Sequence, residues 1–186
     1  MSPKRGALAD DALPPGCLSG PLAERWQRTF TRGTATSITI EAERGVVFDH
    51  LVEPRTFPDW LVGAQHIRAT DDEWPAEGSA FHHRVGFGPI RIEDSTEVVR
   101  IDAPDELVLE AAIGPLGSAR VRFVLTGSSP TTVRFEEVPS AGPVKLADRT
   151  GGFIATRASI WGRNRASLER LKHLIEASAP TDRTAT

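Results

Sequence analysis

Polar side chains on faces that are otherwise apolar mark where this sequence can do chemistry. In 79–87 the alternation puts Phe81, His83, Val85 and Phe87 on one face and His82 and Arg84 on the other. His83 is therefore expected to point inward. A histidine titrating near neutrality can act as general acid or base, touch a ligand, or serve only as a hydrogen-bonded interior group. Glu137 shares parity with Val133 and Phe135. A buried carboxylate needs a partner or a proton, unless the strand's parity slips and leaves it wet. Near the C-terminus, Phe153, Arg157, Ile160, Trp161 and Asn164 continue the helical line of Leu168, Leu171, Leu174 and Ile175. Arg157 is then the candidate partner of Glu137, an ion pair that would orient a polar ligand group. Asn164 can hydrogen-bond a ligand carbonyl or satisfy a loop backbone group. Trp60 and Trp161 bring flat surface and one N–H donor each, as core or as pocket wall.

Other chemistries find no support. Asp94, Ser95 and Glu97 with His82 or His83 suggest a triad, but no Gly-x-Ser-x-Gly elbow is present. Gly86-x-Gly88 sits in a hairpin, and Gly151-Gly152 lacks the Lys-Ser/Thr of a phosphate loop. Five scattered histidines and the single Cys17 give no metal-ligand spacing and no internal disulfide. No metal and no cofactor is expected. With 22 Lys plus Arg against 25 Asp plus Glu, and no basic run, nucleic acid is not an expected partner. No apolar stretch approaches the ~18 residues of a membrane span. The first residues carry no apolar core of a signal peptide, so a cytoplasmic protein is expected.

The 186 residues suit one domain with tails. Residues 1–33 read as an extension, mostly disordered, in which Leu22, Trp26 and Phe30 predict a short amphipathic helix over 21–30. The domain is expected over 34–179 and a polar tail over 180–186. Within it come a strand at 37–42, short helices at 45–52 and 58–61, and a weak strand at 66–72. Strands follow at 79–87, 90–101, 107–113, 119–125 and 133–137, joined by Gly/Pro/Asp turns. A parity change between Ile92 and Val99 predicts a bulge. Residues 139–152 read as a loop before the long helix of 153–178. The fold class is α+β, with an antiparallel sheet of six to seven strands.

The order of elements, with Ala42-x4-Val47-Phe48-x2-Leu51 and Glu53-Pro54-x3-Pro58-x-Trp60, resembles the START-like (SRPBCC) superfamily, in its polyketide cyclase/dehydrase and lipid-transport branch. Gly78 before a strand, Val98–Pro104 before Leu107, Leu125 leading to Thr132-Val133, and Leu168-x2-Leu171-Lys172-x2-Ile175-Glu176 fit the same pattern. The chain departs from it with Glu43 where the family often has Pro, and with Ser129-Pro130-Thr131-Thr132 where it often has Gly-Thr. The resemblance implies a helix grip, as in START and Bet v 1-like proteins: a curved sheet wrapped around the terminal helix with a cavity between. It implies a lipid, polyketide or aromatic ligand there.

Three functions stay open. The first is non-enzymatic binding of a mostly apolar small molecule, walled by Trp60, Phe81, Val85, Phe87 and Trp161 and oriented by His83, Glu137, Arg157 and Asn164. The second is a polyketide cyclase/dehydratase-type enzyme with His83 as proton shuttle. The absence of tyrosine and of a clear acid/base pair weighs against it. The third is an interaction module docking through the N-terminal helix. Open sheet edges allow a monomer or a homodimer.

Overall fold

A computed structural model describes residues 29–31, 33–87, 90–149 and 154–178. The expected extension and helix up to residue 28, the turn at Gly88-Pro89 and the terminal tail lie outside the described residues. So do the side chains of 84–87 and 90–93.

Strand β1 (Thr34–Ile40) leads into helix α1 (Arg44–Val52), a 3-10 turn (Pro54–Thr56) and the single-turn α2 (Phe57–Trp60). Six strands follow: β2 (Ala64–Thr70), β3 (Ala80–Phe87), β4 (Ile90–Asp102), β5 (Glu106–Ala112), β6 (Ser118–Thr126) and β7 (Thr131–Ala141). Helix α3 (Gly142–Arg149) precedes the long α4 (Ile154–Ser178). The strands form one antiparallel, curved sheet in the order β1-β7-β6-β5-β4-β3-β2. Sequential hairpins account for all of it except β1, which closes on β7. The predicted bulge is a register shift between Val98 and Arg100.

Two stretches differ from the sequence expectation. Strand β7 runs through Pro139 to Ala141, and because β1 begins only opposite Glu137, that length of β7 pairs, among the described residues, with β6 alone. A strand hydrogen-bonded on one side tolerates proline. The expected loop then contains α3, with Pro143 in its first turn, where the missing N–H costs nothing.

Alternation sorts the sheet into two faces. Val133, Phe135, Phe123, Leu125, Leu107, Leu109 and Phe81 face the helix, all at most 3% exposed. Leu168, Leu171 and Ile175 of α4 close onto them, each also buried. Full burial of such a side chain contributes roughly 1.5–3 kcal/mol. Rings interlock beneath the helix: Phe57 lies 5.1 Å from Trp60 and 5.0 Å from Phe81, and Phe123 4.6 Å from Phe135.

The outer face is a ladder of charges. Arg122 donates to Glu106 (2.5 Å) and to Glu136 (3.2 Å), while Arg100 and Arg134 close the ends at 3.0 and 2.8 Å. The Arg122 guanidinium also stacks on Phe30, 5.8 Å from its ring centre. Beside this ladder, Glu110 accepts from Arg120 (2.9 Å), Ser118 (2.7 Å) and Ser140.

At one end of the sheet the β5–β6 hairpin meets the start of α3 backbone to backbone. Gly117 (φ 114°) and Gly142 (φ 73°) face each other there. A Cβ on Gly117 would lie 2.1 Å from the Ala141 carbonyl oxygen, and one on Gly142 would lie 2.5 Å from the Gly117 Cα.

Candidate ligand-binding site

The inner face is not filled. Between the sheet, the α2–β2 connection and α4 lies a cavity of about 140 Å³. Its walls are mainly apolar, with Phe57, Phe81, Leu109, Phe123 and Phe135 among them. The space exists because the inward positions at the ends of β5 and β6 carry small residues, Ala111 and Ala119. Leu61, Val62, Gly63 and Ile113 line the same cavity from the connecting loops, and Ala64 from the start of β2.

Its polar groups come from two sides. His83 of β3 is nearly buried, at 9% exposure, and stacks 5.3 Å from Phe81. Its Nδ1 has no hydrogen-bond partner among the described residues. Burial holds the imidazole below its ordinary value, helped by His82 and opposed by Asp94 and the Phe81 backbone. At neutral pH it is the uncharged ring, able to donate or accept. Thr96, cross-strand from Phe81, lines the cavity beside it.

On the other side stands Glu137 of β7, 6% exposed. It accepts from Asn164 Nδ2 at 3.0 Å and from Arg163 Nη2, the latter an ion pair. Asn164 Oδ1 in turn accepts from Arg163 Nε and Nη2, at 3.3 and 3.1 Å. Four strand spacings, about 19 Å along the sheet, separate His83 from Glu137. Curvature alone brings both to one cavity. Ser167 fixes the helix beside them, accepting from Val62 N (3.0 Å) and donating to Arg163 O (2.9 Å).

The structure thus brings Phe81, His83 and Glu137 together at the cavity, with Asn164 directly behind Glu137. Val85 and Phe87 share the parity of His83 on β3, opposite Ile92 and Ile90; their side chains lie outside the described residues. Trp60 is core: it is 0% exposed, lies edge-on to Phe123 and is not among the described cavity residues.

Two expectations are corrected. Trp161 is 50% exposed, neither core nor wall, and Arg157 is exposed as well. The buried line of α4 runs through Asn164, Ser167, Leu168, Leu171 and Ile175, and going backwards it meets half-buried Ile160 rather than Trp161. From Arg157 to Gly162 only Ile160 is even half-buried, so these turns stand clear of the sheet. The partner of Glu137 is therefore Arg163, which lies off the helical line that contains Arg157 and Asn164. Its signal was its place next to Asn164: a long side chain at the border of a buried stripe can reach back across it.

Among the described residues no three His, Cys, Asp or Glu side chains converge to hold a metal ion. No described helix is long and apolar enough to cross a membrane.

No protein-family model and no curated protein sequence matches the chain. Solved structures do. DynU16, from the dynemicin biosynthetic locus, is 20% identical with a TM-score of 0.56, over 80% of this chain and 49% of that one. The di-domain ARO/CYC StfQ from the steffimycin biosynthetic pathway is 10% identical with a TM-score of 0.60, over 83% and 53%. A protein from Arthrobacter aurescens is 12% identical with a TM-score of 0.60, over 86% and 94%.

The fold is a helix grip.

This chain spans about half the length of DynU16 and of StfQ. At these identities the likeness concerns architecture, and function rests on the site.

Proposed function

We propose that the chain binds a mostly apolar small molecule in the cavity between the sheet and α4. One observation carries this reading: a 140 Å³ apolar space inside the grip, bordered by a buried, neutral histidine with an unused ring nitrogen. A ligand site is typically such a concave apolar space with a few convergent polar groups. His83 and Arg163 set the orientation, and the phenylalanine rings supply most of the contact.

A second reading is a cyclase/dehydratase-type enzyme, favoured by the uncharged His83 in the cavity wall. An uncharged imidazole facing an apolar space can take a proton from a carbon beside a carbonyl and return it to a departing hydroxyl. Of the similar structures, StfQ is named as a di-domain ARO/CYC of a biosynthetic pathway and DynU16 as a protein of a biosynthetic locus.

Native mass spectrometry of protein purified from its own host tests binding, followed by release and identification of any bound molecule. A co-purifying apolar compound is the expected result. A clean chain that shows no thermal shift with aromatic, polycyclic or acyl ligands would end the binding reading. Turnover that survives His83→Ala would remove the proton shuttle.

A further inference from the structure

We infer that the ligand is a single aromatic ring bearing a neutral carbonyl group, whose oxygen is held by Arg163 at the cavity mouth. This rests on the binding reading above and narrows it.

Size sets the first limit. An apolar void of about 150 Å³ admits one benzene ring. The 140 Å³ cavity therefore encloses one ring, and a fused polycycle or a long acyl chain would stand mostly outside. The walls set the second. Phe57, Phe81, Phe123 and Phe135 line the cavity, and aromatic walls favour an aromatic guest over a saturated one.

Arg163 sets the polar end. Its Nε and Nη2 are committed to Asn164 and Glu137, which fixes the plane of the guanidinium. Nη1 has no hydrogen-bond partner among the described residues. The side chain is 35% exposed and lines the cavity, so it stands at the border between cavity and solvent. A locked guanidinium with two free N–H groups is a preorganised donor for one oxygen. The Glu137 carboxylate beside it cancels its charge. A ligand carboxylate would gain little from the pair and would meet the Glu137 charge, whereas a ketone or aldehyde oxygen needs only the N–H groups. Asn164 acts here as a positioning residue, through Arg163.

Isothermal titration of the full chain with five probes tests this: acetophenone, ethylbenzene (the same outline without the oxygen), benzoate, anthraquinone and palmitate. Acetophenone is expected to bind about tenfold or more tighter than ethylbenzene, the usual worth of a hydrogen bond to a charged donor. Benzoate, anthraquinone and palmitate are expected to bind more weakly than acetophenone. Arg163→Met should abolish the preference, so that acetophenone and ethylbenzene bind with the same affinity as each other. Should that variant not fold, Arg163→Lys keeps the ion pair, loses the planar fork and should show the same loss. Equal affinity for acetophenone and ethylbenzene, or a preference that survives both substitutions, overturns the inference. Tighter binding of benzoate, anthraquinone or palmitate overturns it and leaves the binding reading standing. No binding by any probe removes both.

Discussion

The two faces of this sheet are made by the same strands and solve opposite problems. On the outer face, Arg122 lies between Glu106 and Glu136 with Phe30 over it, and the three charged residues are at most 7% exposed. Every charge of that triad has a partner. On the inner face, Ala111 and Ala119 leave room, His83 keeps an unused nitrogen, and Arg163 keeps unused donors. A face whose polar groups satisfy one another offers a ligand nothing, whereas one with leftover donors and space is available for recognition. In β6 the switch between them takes one residue: Val121 lines the cavity and Arg122 sits in the ladder.

Removing the central cation should break the outer face most severely. Arg122→Met leaves two buried carboxylates facing each other, each held by only one arginine, Arg100 on Glu106 and Arg134 on Glu136, and a loss of about 3 kcal/mol, the low end for breaking a buried ion pair, is expected in urea denaturation. A loss below about 1 kcal/mol would mean that water reaches the ladder and that the contrast fails.

The inner face should respond in binding instead. Ala119→Leu places atoms into free space, so stability should change by less than about 1 kcal/mol while acetophenone affinity falls about tenfold. Unchanged affinity would move the ligand elsewhere.

Acid sharpens the comparison further. The folded His83 binds its proton less readily than the unfolded one, so its contribution is complete above about 6.5 and declines as pH falls from there toward its lowered folded value. Glu110, on the outer face, is also lowered: burial pushes its carboxyl up, but the Ser140 and Ser118 hydroxyls and Arg120 together outweigh it. Its contribution is complete above its ordinary 4.5 and is lost as pH falls through the lowered value. In denaturation followed across pH, His83→Phe should flatten the slope just below 6.5, and Glu110→Gln only the slope below 4.5. The reverse assignment would contradict the two environments.

The smallest effect is expected at Trp161. Since half of it is exposed, Trp161→Ala should shift stability by no more than about 0.5 kcal/mol and leave probe affinity unaltered. A tenfold loss of affinity would restore it to the pocket wall.

Strand order and the inward set were legible because period-two alternation runs through β3 and β6 and Gly/Pro turns punctuate the hairpins, although bulges interrupt it in β2 and β4. His83 and Glu137 were recognisable as inward by parity alone. The helix was harder to phase. A 3.6-residue period tolerates a neighbouring line, and Trp161 pulled the stripe to one side by its hydrophobicity, although the helix carries it past the end of the sheet. The same shift places Arg157, rather than Arg163, on the line that faces Glu137. Helix α3 was hidden because Pro143 and Gly142 signal a turn as readily as a helix start. The cavity itself was not legible, since it depends on which inward positions hold alanine opposite which helix residues, a matter of three-dimensional register.

The Gly117–Gly142 seam bears on how this protein can be varied. The obstacle at each position is the first carbon of any side chain, so alanine is excluded as firmly as phenylalanine. In a saturation library both sites would read as glycine-only columns, in contrast to Leu116 beside them, whose side chain is exposed. Variation that retunes the pocket is thereby channelled into lining positions such as Ile113 and Arg163, while the join between hairpin and α3 is inherited unchanged.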